Sequence, residues 1–226
     1  MDFERVKNEE QRRIRVQQIK DAAIKIFDKR KYLDITLAEI AKETKFTRGN
    51  LYKYVSSKEE IYLLVLVDEF RKLLENLKVN IDRKFSKEVD KFSDIMAETI
   101  NAHVRFLKLY SILYTVLEKN ASEEKLIEFK ENFSSCMDEL FSIIKLAFPE
   151  LTIKQIRKFM EVLGCFIIGF YPLANPDPIQ KEAFIKSSTG YYPSKFVQTL
   201  KEQIIFNLKN VTYSDGKIFS IPYRLV

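Results

Sequence analysis

The sequence predicts an all-α protein: an N-terminal helix-turn-helix unit of three helices, followed by a helical bundle. Three observations carry the helical reading. Only 5 Gly and 6 Pro stand in 226 residues, so turns are scarce and connections short. Over most of the length apolar residues recur three and four apart, the spacing of one helix face. Thr36 with Glu39, and Ser57 with Glu60, form Ser/Thr-x-x-Glu sequences where such runs begin. In that arrangement the hydroxyl takes a free amide of the first turn and the glutamate reaches back. Hydrophobic residues make up 46% of the chain, enough for a core and too many for a disordered polymer.

Taken in order, the first helix spans about Glu9–Arg30, with Ile14, Ile19, Ala22, Ala23, Ile26 and Phe27 on one face. A short helix starts at Leu37 behind Thr36 and ends near Thr44. A third starts after Thr47, a good N-cap residue, and runs to about Tyr54. The Ser57–Glu60 pair opens a long helix from Lys58 to about Asp82. Further helices are expected at Lys87–Leu107, Lys108–Lys119, Glu123–Phe148 (stopped by Pro149) and Thr152–Tyr171. Residues 175–192, opened by the breakers PLANPDP, read as a loop with room for one helical turn around Ile179–Ile185. A last helix covers about Pro193–Asn210, and the tail after Val211 reads as non-helical. The expected domains are 1–62, 63–211 and the tail 212–226.

Charge narrows the function. The chain carries +6 overall, a mild excess that fits a polyanion only where it is concentrated. Thr44 to Lys58, TKFTRGNLYKYVSSK, holds no acidic residue in a chain that is 31% charged. Two short helices joined by about four residues behind a longer one make a helix-turn-helix, whose second short helix enters the DNA major groove. Here that helix is the acid-free one. Arg48 and Asn50 lie in its first turn; arginine can bond guanine bidentately and asparagine adenine. Lys53, Tyr54 and Lys58 suit phosphate contacts, and Gly49 leaves room for close backbone approach. Leu37, Ile40, Ala41, Phe46, Leu51 and Val55 would hold the pair against the first helix.

The run Phe27, Tyr32, Thr36, Ile40-Ala41, Gly49, Leu51-Tyr52, Tyr54 and Ser57-Lys58-Glu59-Glu60 resembles the DNA-binding domain of the tetracycline-repressor (TetR) family over residues 10–62. The resemblance implies a dimeric transcriptional regulator, most often a repressor released from a palindromic operator in double-stranded DNA by a small-molecule effector. It puts Thr36 and Thr47 at helix starts that contact phosphate and lets Arg48 and Asn50 read bases. Tyr52, Tyr54 and Lys58 would contact backbone or support the helix, Tyr52 the more buried tyrosine. This chain departs from the pattern at Lys31 and Lys45, where the family carries glycine just past a helix end. A left-handed backbone there costs a non-glycine residue about 1 kcal/mol. Lys45 also adds a positive charge to the DNA-facing turn.

In residues 63–211 most aromatic positions read as core. A largely apolar effector cavity between helices would draw on Phe106, Tyr110, Tyr114, Phe133, Met137, Phe166 and Phe170, with Asn101, His103 and the tyrosine hydroxyls to orient a ligand. His103, the one histidine, reads first as a hydrogen-bonded structural residue. Dimerisation is expected on the last two long helices. MEVLGCFIIGFYPL (160–173) is apolar almost all round, with Met160, Ile167 and Ile168 beside Gly164 and Gly169, which allow close approach. Phe196, Leu200, Ile204 and Leu208 stripe the other helix.

No run of about eighteen apolar residues exists to span a membrane, and the charged start MDFERVKNEEQRR is no secretory signal. Cys136 and Cys165 read as reduced, buried cysteines and match no metal spacing, so a cytoplasmic protein without metal or cofactor is expected. No glycine-rich phosphate loop or nucleophile–histidine spacing suggests an enzyme. The rival reading is a helical interaction module binding protein or anionic surfaces through the basic unit. A compact, doubly capped basic unit favours DNA over that rival.

Overall fold

The computed structural model describes residues 2–81, 88–188, 190, 192 and 194–211, with side chains described from residue 9 to residue 210. Among these residues there are ten α-helices and no strand: α1 (Asp2–Phe27), α2 (Leu37–Glu43), α3 (Arg48–Leu51), α4 (Lys58–Asn80), α5 (Val89–Ala102), α6 (Val104–Ser111), α7 (Glu123–Ala147), α8 (Ile153–Ala174), α9 (Pro178–Lys186) and α10 (Phe196–Val211). A π-helical turn, Leu113–Leu117, and a 3-10 turn, Glu118–Asn120, lie between α6 and α7. The expected helix starts at Lys87 and Pro193, the end at Asp82 and the tail 212–226 lie outside the described residues.

The chain forms two compact units. One holds the residues up to Lys72 together with Lys108–Cys136. Its first core comprises Ile19, Ala23, Ile40, Leu51, Ile61, Tyr62 and Val65, all buried. Phe27 and Tyr32 pack on the Tyr62 ring, at 5.3 and 5.4 Å, and the Tyr62 hydroxyl donates to the Ala23 carbonyl at 3.1 Å. That bond gives a buried phenol the partner its burial requires. Of the apolar face expected on α1, Ile14 is instead 53% exposed, because α1 runs a long way past the last residue its unit can cover.

The start of α4 is pinned within this unit. Ser57 Oγ accepts from the Glu60 N–H at 3.2 Å. The Glu60 carboxylate does not close the expected capping box on Ser57. It accepts instead from the Ser56 N–H (2.6 Å), the Ser122 hydroxyl (2.7 Å) and the Ser122 N–H (3.1 Å). Ser57 Oγ donates to the Asn120 carbonyl at 2.9 Å. Burial alone would raise the Glu60 carboxyl, but these donors hold it below the usual glutamate value.

The other unit holds Leu73–Leu107 and the residues from Met137 onward. Here α10 packs against α5 and α8, and Lys201 pairs with Asp94 at 2.6 Å. Met160, Ile167, Phe196, Leu200, Ile204 and Leu208, expected at a dimer interface, are buried inside this unit. Their stripes found partners within the chain. Gly164 and Ile168 stay half-exposed, and of the two cysteines expected to be buried Cys136 is, whereas Cys165 is exposed on the outward side of α8.

The long helix expected at Lys87–Leu107 is broken at His103, which caps α5 with φ −94° and ψ 60°. Asn76 Nδ2 lies 2.9 Å from His103 Nε2, within hydrogen-bond distance. The chain thus breaks four residues before the expected boundary at Lys108. α8 continues through Pro172, whose missing N–H falls in the last turn. Residues 178–186, expected as loop with one turn, form the helix α9. Pro178 stands at its first position and the Asp177 N–H donates to Gln180 Oε1 at 2.9 Å.

Candidate nucleic-acid interface

The second element, α2, begins at Thr36 with the expected capping box. The Thr36 N–H and hydroxyl both donate to Glu39 Oε2, each at 2.9 Å. Those two bonds and the ion pair to Arg30 hold the Glu39 carboxyl below its usual value, so it stays ionised. A phosphate at Thr36 would therefore meet a carboxylate, and the phosphate contact expected of Thr36 does not fit this geometry.

The turn from α2 to α3 depends on Lys45. Its φ is 58°, the left-handed conformation that favours glycine. The Phe46 N–H reaches the Ala41 carbonyl at 3.0 Å and the Lys45 N–H reaches the Lys42 carbonyl at 3.1 Å, the two bonds of a Schellman cap. The departure at Lys45 is thus real and strained. The one expected at Lys31 is not: it lies in extended backbone, φ −66° and ψ 140°.

α3 is a single turn capped by Thr47, whose hydroxyl accepts from the Asn50 N–H at 3.2 Å. Leu51 is fully buried and fixes which way the turn faces. Lys45, Thr47, Arg48, Gly49, Asn50, Tyr52 and Lys53 are all exposed. A Cβ built on Gly49 meets nothing within 4 Å, so nothing inside the chain asks for glycine there. The tyrosines exchange the expected roles. Tyr52 is 57% exposed, whereas Tyr54 is half-buried and lies 6.4 Å from the Phe46 ring.

Lys58 is committed inward. Its ammonium donates to the carbonyls of Ile35 (2.7 Å) and Tyr32 (3.1 Å) and sits 4.5 Å from the centre of the Tyr32 ring. It braces the connection before α2 rather than standing free for phosphate. Tyr32 in turn donates to Glu59 at 2.8 Å, and burial and that carboxylate push its phenol well above the usual value.

A cleft of about 870 Å³ opens beside α3, lined by Lys45, Phe46, Asn50, Lys53 and Tyr54 on one side and Arg15, Gln18 and Lys25 on the other, with the carboxylates Asp21 and Glu43 also in its wall, Glu43 paired with Lys25. Arg15 and Gln18 were not foreseen. The signal was present, since Gln11 to Lys20 is acid-free like Thr44 to Lys58.

The residues expected to line an effector cavity fall into separate groups. Tyr110 stacks on Phe133 at 6.1 Å, with Phe70 and Phe129 each 5.2 Å from Phe133. Tyr114 is 49% exposed under Lys130. In the other unit Phe166 stacks on Phe170 at 5.0 Å, and Phe170 on Phe196 at 6.3 Å. Phe106 is buried, and Asn101 and Met137 are half-exposed. An apolar cleft of about 540 Å³ between the end of α8 and α9 is lined by Pro172, Leu173, Pro176, Ala183 and Phe184.

Comparison with known families agrees with this arrangement. Residues 19–65 match the model of bacterial regulatory proteins of the tetR family, and residues 67–209 match the tetracyclin repressor-like C-terminal domain. The chain belongs to the TetR family of transcriptional regulators. Its α2–α3 pair is the DNA-binding helix-turn-helix of that family. Among solved structures it is similar to the TetR family transcriptional regulator PfmR from Thermus thermophilus, with 16% identity over 85% of this chain and 97% of that one, at a TM-score of 0.49. No curated protein matches. Among the described residues no single helix is long and apolar enough to cross a membrane.

Proposed function

We propose that this TetR family regulator is a homodimeric repressor that reads a palindromic operator with α3 and is released by a small, largely apolar effector. Residues 1–62 read DNA, and residues 63–211 dimerise and hold the effector. The observation that carries the reading is the exposed, acid-free turn: Arg48, Gly49 and Asn50 project from it, and the open space at Gly49 leaves room for close approach from outside. Arg48 and Asn50 read base edges, while Thr47, Lys45, Lys53 and Tyr52 hold phosphates.

The dimer face is the outward side of α8, not the buried stripes. Cys165 and Gly169 are exposed there, Ile168 is half-exposed, and Leu173 is 37% exposed. A Cβ on Gly169 meets nothing within 4 Å, and a mid-helix glycine costs about 1 kcal/mol against alanine, which close approach by a second α8 offsets. Two copies around a two-fold axis present two α3 turns to a palindrome. An effector that favours one separation of those turns weakens binding by the difference of its affinities for the free and DNA-bound dimer.

Selection of bound duplexes from a random pool at near-physiological salt tests this reading. Recovery of a palindrome supports it. Binding without sequence preference, lost on modest added salt, would leave an anion-binding module instead.

A further inference from the structure

Residues 2–18 precede the part of the chain that matches the family's DNA-binding model, yet they are helical, continuous with α1. Every residue from Glu9 to Arg15 is exposed, and the first buried side chain among the described residues of α1 is Ile19. A stretch of helix exposed on every side has no packing reason to persist alone in water. At 1.5 Å per residue this extension is about 25 Å long.

Its charge is not spread evenly. Gln11 to Lys20 carries Arg12, Arg13, Arg15 and Lys20 and no acid. Lys20 is taken by Asp68 at 2.5 Å, and further along the chain Lys25 is paired with Glu43 and Arg30, just past α1, with Glu39. Arg12 and Arg13 have no such partner among the described residues. Arg15 donates to Gln18 at 3.0 Å and lies 5.4 Å from the centre of the Phe46 ring, so it forms a wall of the cleft that also holds Asn50 and Lys53. A guanidinium has five N–H donors, and one bond to Gln18 leaves the rest for an oxyanion. Arg12 stands one helical turn further out on the same rigid rod.

We propose that the arginine flank of α1 (Arg12, Arg13 and Arg15) is a second DNA-contacting element, which grips backbone phosphates outside the bases read by α3. The proposal rests on the DNA-reading role of α3. It assigns the flank to phosphates rather than bases because the three cations lie along one exposed helix outside α3, whose first turn carries the base-reading side chains, and exposed arginines most often position a protein through backbone phosphates.

The test uses the full-length protein and a duplex recovered by selection. Kd is measured over a range of salt, and phosphate ethylation interference maps the contacts. The variant Arg12→Ala/Arg13→Ala removes two exposed side chains without touching the core, and Arg15→Lys keeps the charge under Phe46. The double variant is expected to lose about tenfold or more in affinity and to flatten the log K against log salt slope by about 2, near 0.9 for each lost phosphate. The outermost interfering phosphates should disappear while the sequence preference stays. Arg15→Lys should retain the slope. An unchanged slope with an unchanged phosphate map would overturn the proposal, as would a changed base preference. If the wild-type protein selects no sequence at all, the reading of α3 fails first, independently of the variants.

Discussion

The recognition turn and the α8–α10 pair respond differently to the same kind of reading. In the turn, a cap residue and a buried Leu51 fix the direction of every neighbouring side chain, and Arg48, Gly49 and Asn50 are exposed as their positions require. In α8 and α10, apolar spacing marks a covered face without naming the cover. Leu200 and Ile204 are fully buried within their own unit, while the face left over carries Cys165 and Gly169. Short-range polar bonds state a direction; a hydrophobic stripe states only that water is excluded.

The variants that probe this contrast run from core to surface. Leu200→Ala should destabilise the chain by about 2–5 kcal/mol, seen in denaturant titration, because it leaves a cavity where nothing can collapse in. Were Leu200 an interface residue instead, the loss would show as a protein-concentration dependence of unfolding. Arg48→Ala should leave stability untouched and weaken the selected duplex by about 1–3 kcal/mol with relaxed preference at one position. Equal binding by wild type and variant would remove Arg48 from the base contacts.

Glu60→Gln should cost about 1–3 kcal/mol near neutral pH, since a charged acceptor with three donors is lost. The wild-type carboxyl is held below its unfolded value, so its contribution is complete above the ordinary glutamate range and fades as pH falls through the lower folded value. Acid titration of stability should therefore be shallower in the variant in that window; parallel curves would argue against the buried carboxylate. Lys58→Ala should cost about 1–2 kcal/mol of stability through the two carbonyls and the Tyr32 ring, and lower affinity for all duplexes alike. A DNA effect without a stability effect would return Lys58 to the phosphates.

The smallest change is expected of Lys45→Gly. It relieves the left-handed strain and should stabilise by up to about 1 kcal/mol, while removing one cation from the salt slope. A loss of stability would show that the lysine stem packs more than it strains.

Much of the helix-turn-helix was legible because its signals are local. Thr36 with Glu39, Thr47, and Lys45, the lysine standing at a glycine position, each act within a few residues of themselves. What was not legible depended on distance along the chain. Glu60 looked like the second half of a capping box, and only folding brings Ser122 within 2.7 Å of it. Lys58 looked like a phosphate ligand until the carbonyls of Tyr32 and Ile35 came near. The effector-cavity residues were chosen for being aromatic at helical spacing, and that criterion cannot tell the Tyr110–Phe133 stack from the Phe166–Phe170 stack. The helix α9 hid behind PLANPDP because Pro178 ends one segment and begins another, and only its capping bond decides which.

The π turn at Leu113–Leu117 carries a further consequence. Its defining bond runs from the Leu117 N–H to the Ile112 carbonyl, 3.1 Å, five residues back rather than four. It therefore takes up one residue more than an α turn, about 100° of helix rotation. Asn120 and Ser122, which meet Ser57 and Glu60, come just downstream. The extra residue acts as a phasing insert, a spacer that dials the next segment round to its contacts. Deleting a single position between Leu113 and Leu117 would leave the composition of that segment almost intact and point both contacts in another direction.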